Sequence, residues 1–342
     1  MCILKENNII SVGRWGLWHY WNTDTVLKNN WQYKGVITVT SINMANEKVC
    51  VFVRAYNASK YINECLDSLI NQDFPSEIYI KILYDKGSSD NTLDYLEKYI
   101  KYHNIPSNRH IEIIQHEHCS PFRSLLVGLS MFCDKYDYFS ILDYDNLYED
   151  QYISKAVETL KLSKSDFLYS DLVLFMNDLN NIKGKSASPS IKSKRLFKYL
   201  ILTIKSKRLL KYLILAENFI DGNTIFMTKN GCNTIKSKLV DLSLPTYDWI
   251  FEDYTMGVLA LYYLNFIKLN GNFVFYRIHE SNITSGKNNL KKTILNMNRM
   301  ILTYSSFGTL LKDKMNLTQK LVYLFFFTLQ VFISNFRFIF KK

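Results

Sequence analysis

Apolar positions along the chain alternate between two periods. Val49–Val53 is a short apolar run, and Tyr61, Ile62, Cys65, Leu66, Leu69 and Ile70 then recur at helical spacing. Ile78–Tyr84 reads as the next strand. Leu93, Leu96, Tyr99, Ile100 and His103 mark a second helix, with N-cap candidates between Ser88 and Asp90. Ile111–Ile114 is a third strand, Pro121 suits the first turn of a third helix, and Tyr138–Leu142 is a fourth strand. This β-α-β-α-β-α-β order predicts an α/β fold, with a mainly parallel sheet, right-handed crossovers and flanking helices. Ligands of such sheets collect beyond the carboxyl ends of the strands.

The pattern changes at both ends, which suggests three parts. Residues 1–47 carry Trp15, Trp18, Trp21 and Trp31 among Gly, Asn and Thr, with VITVTS alternating near the end. They read as a small β-rich N-terminal extension. Residues 48–290 form the main domain, and residues 291–342 a helical tail. The tail ends in LVYLFFFTLQVFISNFRFIFKK, in which Gln330, Ser334, Arg337 and Lys341 fall on one helix face. Its apolar length could just span a bilayer, but the polar face favours a helix lying at the membrane interface. The bland alternative packs the tail on the domain, or on a second copy of the chain as a homo-oligomer.

Composition sharpens this. Of 342 residues, 48% are hydrophobic and 15% aromatic, which supports a real core and argues against disorder. The net charge is +11, but eight basic residues and no acid lie within 191–216, and without them the charge falls to +3. That patch is a tandem repeat, IKSKRLFKYLILT followed by IKSKRLLKYLILA. Its interleaved Leu, Ile and Tyr fit an anionic membrane surface better than a nucleic acid, so no nucleic-acid partner is expected. A solvated basic insertion explains it equally well. The six cysteines show no CxxC spacing and read as scattered buried thiols of a reducing compartment. MCILKENNII does not read as a signal peptide, because charge and Asn interrupt it at once. Together these features imply a cytoplasmic chain, peripheral on the inner face of a membrane.

Three carboxylate sites fall at strand or helix ends. ILYDKGSSDNT places Asp85 at the end of a strand, and SILDYDNLYED places Asp143 and Asp145 two apart, just past an apolar run. The pleat can aim this pair to one side, where paired carboxylates suit a hard divalent cation that also holds phosphates. In DWIFEDYTMG, Glu252 and Asp253 open an apolar-periodic stretch with Met256, Leu259, Ala260 and Tyr263. Acids there are either helix-start charges or a general base. Taken singly, each site is more often a solvated turn; their order is what changes the weighing.

In that order the chain resembles a family 2 glycosyltransferase with the GT-A fold. The residues that carry the likeness are Ala55-Tyr56-Asn57, Ser68-Leu69-Ile70-Asn71-Gln72, the stretch Asp85–Thr92, Asp143-Tyr144-Asp145 and Glu252-Asp253. DGNTIFMTKNG (221–231) and YRIHESNITSG (276–286) continue it, with Asn282 where the family has serine. Lys86 stands where the family has a second aspartate, which weakens the inference that the donor base is uracil. The resemblance implies a Rossmann-like sheet and a metal-dependent, inverting transfer of a sugar from a nucleotide-sugar donor, usually UDP-linked. The acceptor would be a hydroxyl of a saccharide or lipid-linked glycan in surface-polysaccharide synthesis. It implies that Ala55, Tyr56, Asn57 and Asp85 hold the nucleoside, that Asp143 lies near the ribose, and that Arg123 reaches the donor sugar. It further implies that Asp145, Asp143 and His279 serve a Mn²⁺ or Mg²⁺ ion, and that Asp253, with Glu252 the next candidate, is the base. A nucleotidylyltransferase would need a Gly-rich phosphate loop, which VRAYNASKY lacks. A catalytically silent nucleotide-sugar or glycan-binding module with the same fold is the remaining alternative.

Overall fold

The computed structural model describes residues 2–4, 9–11, 43–176, 178–186, 207–216, 218–242, 248–279, 282 and 290–339. The four N-terminal tryptophans and the first repeat copy lie outside these residues. Two units are distinguished, Met1–Asn43 and Met44–Lys342. In the first, β1 (Cys2–Leu4) pairs antiparallel with β2 (Ile9–Ser11).

The second unit is built on one mixed sheet. Its parallel part consists of β3 (Lys48–Ala55), β4 (Glu77–Asp85), β5 (Arg109–His116) and β6 (Tyr138–Asp143). These run in the spatial order β5-β4-β3-β6. Helices α1 (Ile62–Ile70), α2 (Thr92–Tyr102) and α3 (Pro121–Phe132) make the crossovers. Strands β3, β4 and β6 are buried on both faces, as parallel strands under helices must be, while the edge strand β5 is largely half-buried. In β3, Val49, Val51 and Val53 join the cluster of Ile62, Leu66 and Leu96, while Cys50 and Phe52 face the cluster of Phe122, Leu125 and Leu129. Ser120 caps α3, its hydroxyl accepting from the Arg123 amide at 3.2 Å, with Pro121 in the first turn.

The rest of the sheet is mixed. After the short β7 (Leu147–Tyr148) and α4 (Tyr152–Ser163) come β8 (Phe167–Met176) and β9 (Asp178–Ser186). Beyond β6 lie β10 (Phe226–Thr228), β8, β11 (Phe266–Arg277) and β7, with β9 paired to β8. The 221–231 stretch therefore supplies a turn of 3₁₀ helix (Gly222–Thr224), the three-residue β10 antiparallel to β6, and the start of the next helix.

The helices of the C-terminal half are α5 (Lys207–Ala216), α6 (Lys229–Leu239), α7 (Glu252–Tyr263), α8 (Leu290–Leu310) and α9 (Leu317–Ile339). Helix α7 is buried all round from Tyr254 to Tyr262 and needs cover on every side. Two expectations are corrected here. Leu210, Ile214 and Leu215 of the second repeat copy lie in the core, so the apolar stripe assigned to a membrane covers α7 instead. Tyr254 and Tyr304 fix α5 there by donating hydroxyl bonds to the Ile214 and Leu215 carbonyls. The cysteines are not all isolated thiols either: Cys133 and Cys232, 99 residues apart, form a disulfide between the ends of α3 and α6. Local spacing carries no trace of so distant a pairing. Among the described residues no helix is long and apolar enough to cross a membrane.

Candidate active site

The carboxyl ends of β3, β4 and β6 open into a cavity of about 490 Å³. Its walls include Tyr56, Asp85, His118, Asp143, Asp145, Asp221, Glu252, Asp253 and His279. Residues from every carboxylate motif, spread over almost 170 positions, thus face one space.

At one part of this space two loops are stitched together by their own polar side chains. The Ala58 amide donates to Thr92 Oγ1 at 2.7 Å, the Ser59 amide to Asp90 Oδ2 at 3.0 Å, and the Ser89 amide to Asn57 Oδ1 at 2.8 Å. Asn57 itself adopts φ 49°, a left-handed conformation that Asn tolerates. Much of the Asp90-Asn91-Thr92 and Tyr56-Asn57 signature is therefore scaffold. What it supports is Asp85, whose Oδ1 accepts from the Gly87 amide at 2.8 Å and whose Oδ2 lies 2.9 Å from His118 Nδ1. A Cβ on Gly87 would come within 2.9 Å of the His118 Cβ, so this turn needs glycine. The half-exposed Tyr56 ring sits 5.0 Å from the His118 ring. Lys86 turns to Glu117, at 2.8 Å.

Arg54 organises the centre. Its Nη2 and Nε lie 2.7 and 2.8 Å from Asp143 Oδ1, and its Nη1 lies 2.8 Å from Glu252 Oε1. Burial alone would lower the pKa of this guanidinium, but Asp143 and Glu252 outweigh it and raise the pKa. Asn223 holds the same strand end: its side chain accepts from the Asp143 amide at 2.7 Å and donates to Asp143 Oδ2 at 3.3 Å. Burial raises the pKa of Asp143, against the pull of Arg54.

The adjacent acids at the start of α7 have opposite electrostatics. Glu252 is buried, yet Arg54 and Arg299 hold it below the usual carboxylate range. Asp253 instead accepts from neutral donors, the Asn218 side-chain amide at 3.0 Å and the Tyr254 amide at 2.7 Å. Burial, then Glu252, then Asp221 push Asp253 up to about 8. Asp221, buried beside Asn223, is raised to about 6. A carboxylate with a raised pKa at a cavity wall is suited to accept a proton, whereas one held by two guanidiniums is not.

Asp145 and His279 meet across the sheet, Oδ2 to Nε2 at 2.8 Å, with the Asn282 amide 3.4 Å from the same oxygen. Arg277 is fully buried behind them. Its Nε donates to the Asp145 carbonyl at 3.0 Å, and its guanidinium is sandwiched between the Tyr61 and Phe175 rings at 4.5 and 4.6 Å. Among the described residues no group of three or more His, Cys, Asp or Glu side chains is gathered as a metal site. An Asp–His pair nevertheless fits a Mg²⁺- or Mn²⁺-type ion that takes its remaining ligands from water and phosphate. Asp143 fits less well, since both its oxygens are engaged by Arg54 and Asn223.

Nine sequence-predicted residues line the cavity: Ala55, Tyr56, Asn57, Asp85, Asp143, Asp145, Glu252, Asp253 and His279. Arg123 does not; it pairs with Asp248. The pattern did not reveal Arg54, His118, Asn218, Asn223 or Arg299. Arg54 was the most legible of these, as a charge inside the apolar run VCVFVRA.

A Rossmann-like sheet with acids gathered at its carboxyl edge defines the GT-A class of α/β protein. The profile described as "Glycosyl transferase family 2" matches residues 50–226, over half of the chain, and the chain belongs to that family. An uncharacterized glycosyltransferase of Haemophilus influenzae is 37% identical over 115 residues, 33% of this chain and 32% of that protein. A Methanococcus voltae dolichyl N-acetyl-alpha-D-glucosaminyl phosphate 3-beta-D-2,3-diacetamido-2,3-dideoxy-beta-D-glucuronosyltransferase is 27% identical over 118 residues, 34% of this chain and 35% of that protein. The chain thus spans about a third of the length of these curated relatives. The crystal structure of S. aureus TarS 1-349 in complex with UDP superposes with a TM-score of 0.50 at 17% identity, covering 82% of this chain and 70% of that one. This last likeness concerns the fold alone.

Proposed function

We propose that the chain is a glycosyltransferase that moves a sugar from a nucleotide-sugar, UDP-linked in the first instance, to an acceptor hydroxyl in glycan synthesis. The observation that carries this reading is the convergence of Asp85, Asp145, His279 and Asp253 on one cavity at the sheet's carboxyl edge. The nucleoside lies against Tyr56 and Asp85, and the diphosphate lies toward Asp145. Asp145 and His279 would hold a Mn²⁺ or Mg²⁺ ion, which when bound stabilises the negative charge that develops on the leaving diphosphate. Asp253 takes the proton of the acceptor hydroxyl as that oxygen attacks the anomeric carbon from the face opposite the diphosphate, inverting it. Arg54 and Arg299 hold Glu252 below the usual carboxylate range, and Arg54 also pins Asp143 in place, which leaves Asp253 as the base. The name of the Methanococcus voltae relative, a dolichyl-linked glycan transferase, supports a lipid-linked acceptor. The exposed apolar face of α9 supports a site of action at a membrane surface.

The test is turnover of a nucleotide-sugar panel by the purified chain with Mn²⁺ or Mg²⁺, with products identified by mass. Release of free sugar or transfer product is expected, and EDTA is expected to abolish it. Binding of donors without any turnover, across the panel and both metals, would favour the silent binding module instead.

A further inference from the structure

Trp249 breaks the burial pattern around it. Large aromatic side chains are usually well buried, and Ile250 and Tyr254 beside it are 0% and 1% exposed, yet Trp249 is 49% exposed. Trp249 lines the cavity, with Phe251, Glu252 and Asp253 of the same segment.

The exposure does not come from a loose backbone, because two helices, α8 and α3, grip this segment. Buried Arg299 of α8 donates from Nε to the Trp249 carbonyl at 3.0 Å and lies over the Phe251 ring at 4.2 Å. The Phe251 amide donates to Thr303 Oγ1 at 2.8 Å. Asp248 is held by Arg123 of α3. A fixed main chain thus presents a large apolar face to solvent, within four residues of the acid assigned as base. Neither a folding role nor the donor machinery accounts for it.

We propose that Trp249 is the floor of an acceptor subsite that takes a pyranose ring, and this rests on the reading of Asp253 as the acceptor's base. An indole face carries negative quadrupole potential and prefers partners with slightly positive C–H edges. The C–H face of a pyranose is such a partner: it loses apolar exposure on stacking while its hydroxyls stay at the ring's rim. One of those hydroxyls would then point toward Asp253. A rigid platform also lowers the ordering cost of binding. A linear polyol offers no continuous C–H face, so the site selects cyclic over open-chain acceptors.

The experiment uses the full chain labelled with 5-fluorotryptophan, with the Trp249 fluorine signal assigned by its loss in Trp249→Phe. Titrants are the methyl pyranosides of glucose, galactose, mannose and N-acetylglucosamine, with ribitol and glycerol as open-chain controls. The Trp249 signal should shift with at least one pyranoside and stay still with the polyols. Trp249→Leu should weaken that pyranoside, followed by ligand-observed NMR, by about five- to ten-fold, and Trp249→Phe should weaken it less. Calorimetry with UDP- and GDP-sugars reports the donor site and the integrity of the fold in each variant. A Trp249 signal silent to all four pyranosides, or equally responsive to ribitol, overturns the subsite. Absence of nucleotide-sugar binding by the wild-type chain would instead overturn the proposed function.

Discussion

At the scale of single residues, the contrast between Glu252 and Asp253 has measurable consequences. A base must be ionised to act, and Asp253 is pushed up to about 8. Transfer should therefore rise as pH climbs toward 8 and level off above it. Asp253→Asn keeps the shape, removes the basicity, and should cut transfer by about 10²–10⁴-fold with that pH limb lost. Calorimetric donor affinity should change little. The same shift bears on stability. A raised carboxylate binds its proton more tightly in the folded chain than in the unfolded chain, where its pKa is about 4. Between about 4 and 8 the folded state thus holds more protons, and the Asp253 contribution becomes more destabilising as pH rises. Asp253→Asn should therefore unfold at higher denaturant than wild type at pH 8, by about 1–2 kcal/mol, and should gain less at pH 5. Arg54 sets the opposite case. Arg54→Met leaves Asp143 and Glu252 buried without their shared cation, and should cost about 3–5 kcal/mol in denaturant unfolding. Lysine should not restore it, because one ammonium cannot reproduce the fork that spans both acids.

At the scale of elements, the alternation of strand and helix from residue 48 to 143 was open to inspection, because each parallel strand is a short apolar run and each crossover helix keeps one apolar face. The acids at the strand ends were legible for the same reason: a run that stops at Asp85 or Asp143 marks the sheet's carboxyl edge. What stayed hidden depends on distant partners. Arg54 finds its two acids 89 and 198 residues away, and Cys133 finds Cys232 across 99. Helix α5 was misread because amphipathicity reports an apolar stripe and not what covers it. Its stripe is claimed by α7, an element buried on all sides. Leu215→Ala should accordingly destabilise the chain by about 2–5 kcal/mol, checked by denaturant unfolding. Deletion of residues 204–216 should cost far less than the loss of a core helix. The preceding copy, KRLFKYLILT, would abut the same downstream sequence and carries Phe, Ile and Leu at the positions of Leu210, Ile214 and Leu215.

At the scale of the whole molecule, the exposed surface of α9 is what remains of the membrane reading. The helix is two-sided: Tyr323, Phe326 and Phe327 pack against the core, while Leu317, Leu321, Leu324 and Phe325 are 75%, 58%, 51% and 63% exposed. Those four recur as i, i+4, i+7 and i+8, a single stripe along the axis. Lys312, Lys314 and Lys320 are exposed near its start. Apolar contact with lipid is indifferent to salt, whereas each basic residue near an anionic surface contributes about 1 kcal/mol within a Debye length. Flotation with anionic vesicles separates the two. The full chain should float at low salt and keep part of its binding at high salt. Leu324→Asp with Phe325→Asp leaves the packed side intact and should remove the salt-resistant part. Charge reversal at Lys312, Lys314 and Lys320 should remove the salt-sensitive part. A chain that stays with the soluble fraction at low salt would sink the membrane reading. The stripe would then be a seat for a second copy, and sedimentation should show a dimer that the two aspartates dissociate.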